Sequence, residues 1–170
     1  MDIKNDNLNN SLLYVAAIYQ FVEISNIDFK RRQLIKLCRD HDIRGTLIIA
    51  EEGINGTIAG EYESLILIID HIRDWSEIND LEVKYSSSTT HTFHRLKVKS
   101  KQEIVTMGKN NIDPKRLKGD YIDPTDWNNF IQRDDVILID ARNIYETQVG
   151  KFFNAIDPEI DNFKEFPQWV

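Results

Sequence analysis

A chain of 170 residues holds one domain, or a small domain and part of another. Its apolar fraction of 41% and charged fraction of 29% are ordinary for a water-soluble globular protein. No run approaches the roughly 20 apolar residues of a membrane span. The polar start MDIKNDNLNNSLL lacks the basic-then-apolar order of a signal peptide. The single cysteine, Cys38, excludes an internal disulfide and fits a cytoplasmic setting.

The net charge of −7 argues against a generic nucleic-acid binder, yet it is unevenly spread. Residues 1–90 carry a net −6, residues 91–118 a net +6, and residues 119–170 a net −7. A basic belt between two acidic blocks can meet phosphate locally while the rest of the chain repels it.

In chain order, residues 1–11 are polar, Asn-rich and predicted to be disordered. Residues 12–24 (LLYVAAIYQFVEI) read as a buried strand. Ser25-Asn26 supplies an N-cap, with Asp28 in the first turn of a helix running to about Asp42. Its stripe is Ile27, Leu34, Ile35, Leu37 and Cys38. Arg44 to Ala50 is a second strand, Glu51-Glu52-Gly53 a turn, and Ile54 to Ala59 the returning hairpin partner. A second helix over 61–75 carries Leu65, Ile66, Ile69 and Ile72, and Leu81 to Tyr85 is a fourth strand. The order is the split βαβ pattern of a ferredoxin-like, acylphosphatase-like α+β domain over residues 12–90.

Residues 86–93 form a polar loop. Arg95 to Val105 alternates basic and apolar residues with period two, which predicts a strand with one cationic face. Residues 91–120 read as this basic strand followed by a linker. Pro124 to Gln132 is a short helix turning Trp127, Phe130 and Ile131 inward, and Val136 to Asp140 is a strand.

Cys38 sits on the buried stripe of its helix, so core packing is favoured over a nucleophile. Gly53, Asn55 and Gly56 could suggest a phosphate loop, but the Walker lysine is absent and a hairpin turn explains the glycines. His91 and His94 have no carboxylate or cysteine cluster beside them, and no metal site is predicted. His94, Arg95, Lys97, Lys99 and Lys101 admit two readings: a phosphate-contacting face or a merely solvated one. Asp140, Arg142 and Glu146 read as scaffold. Asp140 organises a turn, Arg142 pairs with a carboxylate, and Glu146 lies one helical turn further on.

The blocks IRGTLIIAEEGINGTIAG (43–60), FHRLKVKSKQEIVTMG (93–108), YIDPTDWNNFI (121–131), LIDARNIYE (138–146) and FKEFPQWV (163–170) resemble, in order and spacing, a bacterial family. It is the rhodanese-domain family of oxygen-dependent tRNA uridine hydroxylases, which make 5-hydroxyuridine at the wobble position. The segment KSKQEIV departs slightly from the family's KLKKEIV-like run. The resemblance implies an acylphosphatase-like domain followed by a rhodanese domain, of which residues 121–170 would be the first part. It implies the tRNA anticodon region as partner and molecular oxygen as co-substrate, with no cofactor evident. It favours RNA contact for the basic strand, and support of a later loop for Asp140, Arg142 and Glu146. The family's active-loop cysteine lies downstream of the FKEFPQWV-like block. No position here matches it, so the chain is expected to be inactive alone. Rival readings are a rhodanese-type sulfurtransferase and a non-catalytic RNA-binding module. Acylphosphatase chemistry is disfavoured, because EISNID between the first strand and helix offers no arginine.

Overall fold

The structure, a computed structural model, describes residues 12–105 and 119–170. The predicted tail at 1–11 and most of the predicted linker lie outside the described residues. The chain forms two compact units, one ending at Ile104 and the other beginning at Val105.

The first unit runs β1 (Leu13–Phe21), α1 (Ile27–Asp40), β2 (Arg44–Ala50), β3 (Gly53–Gly60), α2 (Tyr62–Arg73), β4 (Glu82–Ser88) and β5 (Leu96–Ser100). Its sheet has the order β4-β1-β3-β2-β5. All neighbours are antiparallel except β2 and β5, which are parallel. The sequence reading gave this sheet four strands and placed 91–120 outside it. The fifth strand is the basic one. Val98 is buried in the core beside Leu47, its register partner, so β5 closes an edge that β2 would otherwise leave open.

Alternation sorts each strand into two faces. Ala16 and Ile18 of β1, Ile54 and Ile58 of β3, and Leu47 and Ile49 of β2 point to one side and are fully buried. Helices α1 and α2 cover that side. From α1 come Leu34 and Cys38, with Ile27, Ile35 and Leu37 partly buried around them. From α2 come Leu65, Ile68, Ile69 and Ile72. Ile68, absent from the predicted stripe, is in the core, whereas Ile66 is only half-buried. Positions 65, 68, 69 and 72 complete an i, i+3, i+4, i+7 row, the arc a helix lays on a sheet.

The start of α1 also differs from expectation. Asn26 sits in the left-handed region (φ 53°) and its side chain caps nothing. Its carbonyl instead receives the Phe29 and Lys30 N–H groups at 3.0 and 3.1 Å. Ser25 turns away and donates from N–H and Oγ to Glu77 at 3.1 and 2.7 Å. Glu77 also accepts from Lys30, a residue only 9% exposed whose ammonium lies 5.1 Å over the Trp75 ring. Lys30 first, then Ser25, hold the Glu77 carboxyl well below the usual carboxylate range. This network ties the β1–α1 connection to the chain leaving α2.

Gly56 lies inside β3, within the predicted strand 54–59, rather than in the hairpin turn itself. A Cβ there would fall 2.1 Å from the Thr46 carbonyl oxygen and 2.8 Å from the Leu47 Cα. The turn glycine is Gly53, with φ 153°.

The second unit is shorter in regular structure. It has α3 (Trp127–Phe130), α4 (Ile144–Thr147) and α5 (Phe166–Trp169). Trp127, Phe130 and Ile131 are half-buried, as their spacing predicts. The predicted strand at Val136–Asp140 is reduced to one parallel bridge between Ile139 and Ile156. Asp140 N–H donates to the Ile156 carbonyl, and Ile156 N–H to that of Leu138, both at 2.9 Å. A parallel strand needs neighbours on a ladder, and among the described residues of this unit only this pair supplies one. Ile137, Val149 and Phe153 are 74%, 91% and 88% exposed, so its apolar side chains are only partly gathered.

Leu47→Ala should lower unfolding free energy by about 3 kcal/mol in urea titrations, since Leu47 is fully enclosed. The depressed Glu77 gives stability that is present above its ordinary range, about pH 4.3, and lost as pH falls through its lower folded value. The gap in Tm between wild type and Glu77→Gln is therefore expected to narrow as pH drops from about 5 to about 2.

Candidate nucleic-acid interface

Leu96 and Val98 hold β5 to the core, so Lys97 and Lys99 project from the opposite face of the sheet. The ladder extends past both ends of the strand. Gly45 N–H donates to the Arg95 carbonyl at 3.1 Å, and Lys101 N–H to the Ile49 carbonyl at 3.0 Å. Arg95 and Lys101 thus keep the same parity. Arg95, Lys99 and Lys101 are exposed and Lys97 half-exposed, and His94 is exposed just before the strand. Arg31 of α1 donates from Nε to the Val98 carbonyl at 2.9 Å, anchoring β5 to the helical layer.

Strand pairing adds residues that the sequence did not single out. Arg44 on β2 and Lys84 on β4 share this face, held by Asp42 and Glu82 at 3.5 and 2.9 Å. Tyr19 and Phe21 of β1 lie on it too, edge to face with centroids 5.3 Å apart. The sequence showed the alternation of each strand and the β2–β3 hairpin, but not that β5 would join this sheet beside β2.

The side chains of Asp140, Arg142 and Glu146 in the second unit interact only locally. Arg142 grips Asp140 with two parallel bonds, Nε to Oδ1 at 2.8 Å and Nη2 to Oδ2 at 2.6 Å. The same Nη2 reaches the Gly150 carbonyl at 2.7 Å, closing the loop that runs from Arg142 to Gly150. The guanidinium holds the Asp140 carboxyl below its ordinary range. Glu146 does not join this fork. It forms a capping box with Asn143 at the start of α4, accepting the Asn143 N–H at 3.3 Å. An open cleft of about 670 Å³ lies beside the fork, lined by Trp127, Asp140, Arg142, Lys151 and Phe152.

A second cleft flanks the β1–α1 connection in the first unit. Glu23, Asp28, Glu51 and Glu77 line it with Arg32. Four carboxylates against one arginine make a poor anion cradle, which opposes acylphosphatase chemistry there. Among the described residues no three of His, Cys, Asp or Glu converge as metal ligands, and no helix is long and apolar enough to cross a membrane. Cys38 is fully buried, and burial pushes its thiol up to about 12.

Residues 13–104 match the UPF0176 acylphosphatase like domain, a span that opens at the first residue of β1 and takes in β5. The chain belongs to this family. The match also settles the acylphosphatase-like reading of the first unit. Curated tRNA uridine(34) hydroxylases are homologues. That of Mesorhizobium japonicum is 47% identical over 92% of this chain and 50% of its own length. Those of Bartonella quintana and Brucella melitensis are 46% and 43% identical, over 92% and 98% of this chain and 51% and 55% of their own lengths. The chain therefore spans about half the length of these relatives. An acylphosphatase from Bacillus subtilis overlaps 51% of it, and 97% of its own length, at 15% identity and a TM-score of 0.40.

Cys38 is expected to resist a thiol reagent such as dithionitrobenzoate in the folded chain. It should react at the rate of a free cysteine once the first unit is unfolded in guanidinium.

Proposed function

We propose that this chain serves tRNA modification, as the RNA-positioning part of an enzyme that hydroxylates C5 of the wobble uridine to 5-hydroxyuridine with molecular oxygen. The observation that carries the reading is the cationic row of β5, Arg95, Lys97, Lys99 and Lys101, held rigidly by Val98 in the core of a domain whose homologues are tRNA uridine(34) hydroxylases. Phosphate contacts fix register and orientation on RNA without reading sequence. A row anchored in a sheet does this with little ordering cost. The target base must be presented unpaired, and an anticodon loop already offers it so.

The chemistry is assigned to the stretch of the longer relatives that this chain does not span. Its one cysteine, Cys38, is enclosed and protonated, and so takes no part. The second unit is read as the opening of a rhodanese domain. There Asp140 and Arg142, tied to Gly150, hold a turn rigid beside an open cleft. A reactive loop needs such support to keep its donors in place. The chain alone is expected to bind tRNA and leave it unmodified. The site of action is taken to be the cytoplasm, where the tRNA pool resides.

Nucleoside mass spectrometry after deletion of this reading frame tests the proposal. 5-Hydroxyuridine and its derivatives should fall, and add-back of the 170-residue chain should not restore them. Unchanged levels in the deletion strain, or restoration by this chain, would overturn it. In binding assays, combined replacement of Lys97, Lys99 and Lys101 by alanine should weaken tRNA affinity and flatten its salt dependence. The loss in slope should be about two to three in log K against log salt.

A further inference from the structure

Pairing sorts the cations of the first unit into two groups. Among its described residues, Lys30, Lys36, Arg44, Arg73 and Lys84 each lie against a carboxylate. Those without a carboxylate partner are Arg31, Arg32 and Arg39 on α1 and the row from Arg95 to Lys101 on β5. The two elements are neighbours, for α1 packs against β5. The hydrogen bonds of β5 show where its open edge points. Gly45 N–H meets the Arg95 carbonyl and Lys101 N–H the Ile49 carbonyl, so the odd-numbered backbone groups turn to β2. Those of Leu96, Val98 and Ser100 turn outward, and among the described residues no strand lies beyond them. Arg31, half-buried, reaches this edge from the helical layer and commits only Nε to the Val98 carbonyl, at 2.9 Å. Its two Nη groups have no partner among the described residues, and neither is sealed from solvent. One bond thus orients the guanidinium and leaves its fork to face an anion.

Resting on the RNA-positioning reading above, we propose that the β5 edge is a two-sided clamp for the sugar-phosphate backbone of tRNA, with Arg31 as its fixed centre. Arg31 and Arg39 meet phosphates from the helical side, and Lys97 and Lys99 meet them from the other side of the sheet. Successive residues of a helix turn by about 100°. Lys30 therefore faces Glu77 and Trp75 on one flank of α1 while Arg31 faces β5 on the other. The start of α1 lies by the end of β5, since Ile27 and Arg32 share a cleft with Ser100. Arg39, about two turns beyond Arg31, carries the flank toward the Arg95 end of the strand. Arg32 is left out of the clamp, because Glu23, Asp28 and Glu51 line its cleft and would repel phosphate. A nucleic-acid backbone fits this edge better than an acidic protein does. Ile35 and Leu96, the apolar residues among these cations, are partly buried against the core, so the edge lacks the apolar centre that a protein interface uses. Cations without counter-ions, set on both sides of one edge, suit a polyanion that is held by its charge and not read by sequence.

Fluorescence anisotropy of labelled tRNA with the 170-residue chain, at several salt concentrations, tests the clamp. Arg31→Gln keeps a donor for the Val98 carbonyl and removes the charge. It should weaken binding about fivefold and lower the slope of log K against log salt by about 0.7 to 0.9. Arg31→Lys keeps the charge without the fork, so the slope should match wild type while affinity falls. Arg39→Gln, at an exposed position with no side-chain partner among the described residues, should lower the slope by a similar amount. Lys36→Gln, on the outer face of α1 and paired with Asp40 at 3.5 Å, should change nothing. Circular dichroism melts of each variant separate lost binding from lost folding. Slopes unchanged by Arg31→Gln and Arg39→Gln, while lysine replacements on β5 still weaken binding, would confine Arg31 to bracing β5. That result would overturn the clamp and leave the RNA-positioning reading intact. No affinity for tRNA would overturn both. Polyglutamate bound as tightly as tRNA, and weakened by Arg31→Gln, would assign the edge to an acidic protein and overturn it as an RNA site.

Discussion

The pairing of β5 with β2 is the constraint on which the candidate interface depends. Leu47 opposite Val98 commits Val98 to the core, and the two-residue period of a strand then commits Lys97 and Lys99 to the other side. A slip of one residue would bury two ammonium groups and expose Val98, a change far costlier than the loss of any single surface contact. The hydrophobic register of one edge strand thus sets the electrostatics of a whole face. Arg31 reinforces the arrangement from the helical layer through the Val98 carbonyl.

The elements legible in the sequence were those whose signal is local. Arg44–Ala50 has the bounds its apolar run suggests, and the amphipathic stripe of α1 lies where its three- and four-residue spacing puts it. The alternation of Arg95 to Lys101 disclosed a cationic face before any strand pairing was known. Its membership in the sheet was not legible, because a parallel edge strand is chosen by a partner about fifty residues away. For the same reason Arg44, Lys84 and Tyr19 escaped notice as companions of the basic row. The helix cap was misjudged for a different cause. Ser25 and Asn26 are good capping residues, but Glu77, brought close by the fold, competes for Ser25, and Asn26 adopts a left-handed backbone that carries its side chain away.

The two units differ in how far their own residues satisfy them. The first buries a continuous core and uses a polar triad, Lys30, Glu77 and Ser25, to fasten a connection whose own apolar anchors are Val22 and Ile24. In the second, local fastening dominates: a fork between residues two apart, a capping box, and one bridge. That Arg142 would pair with a carboxylate was readable from sequence, but not that the carboxylate is Asp140. Nor was the reach of Arg142 to Gly150, since it depends on how the intervening turn of helix folds back. Such short-range devices set the shape of a turn without a sheet behind it, which suits a segment that frames a cleft.

The strand order has a mechanical consequence. Strands β4 and β5 occupy opposite edges of the sheet, yet only residues 89–95 join them. Crossing the ends of three intervening strands requires about 19 Å at ordinary strand spacing. Eight virtual bonds from Ser88 to Leu96 reach about 27 Å when drawn out, and the turn that Ser88 Oγ makes with Thr90 uses up some of that reach. The connection is therefore a strap with a few residues of slack, bracing the sheet from edge to edge like a cord across a bow. Lengthening it would loosen the basic strand before any of its own contacts had changed, while removing three residues would pull that strand off the sheet.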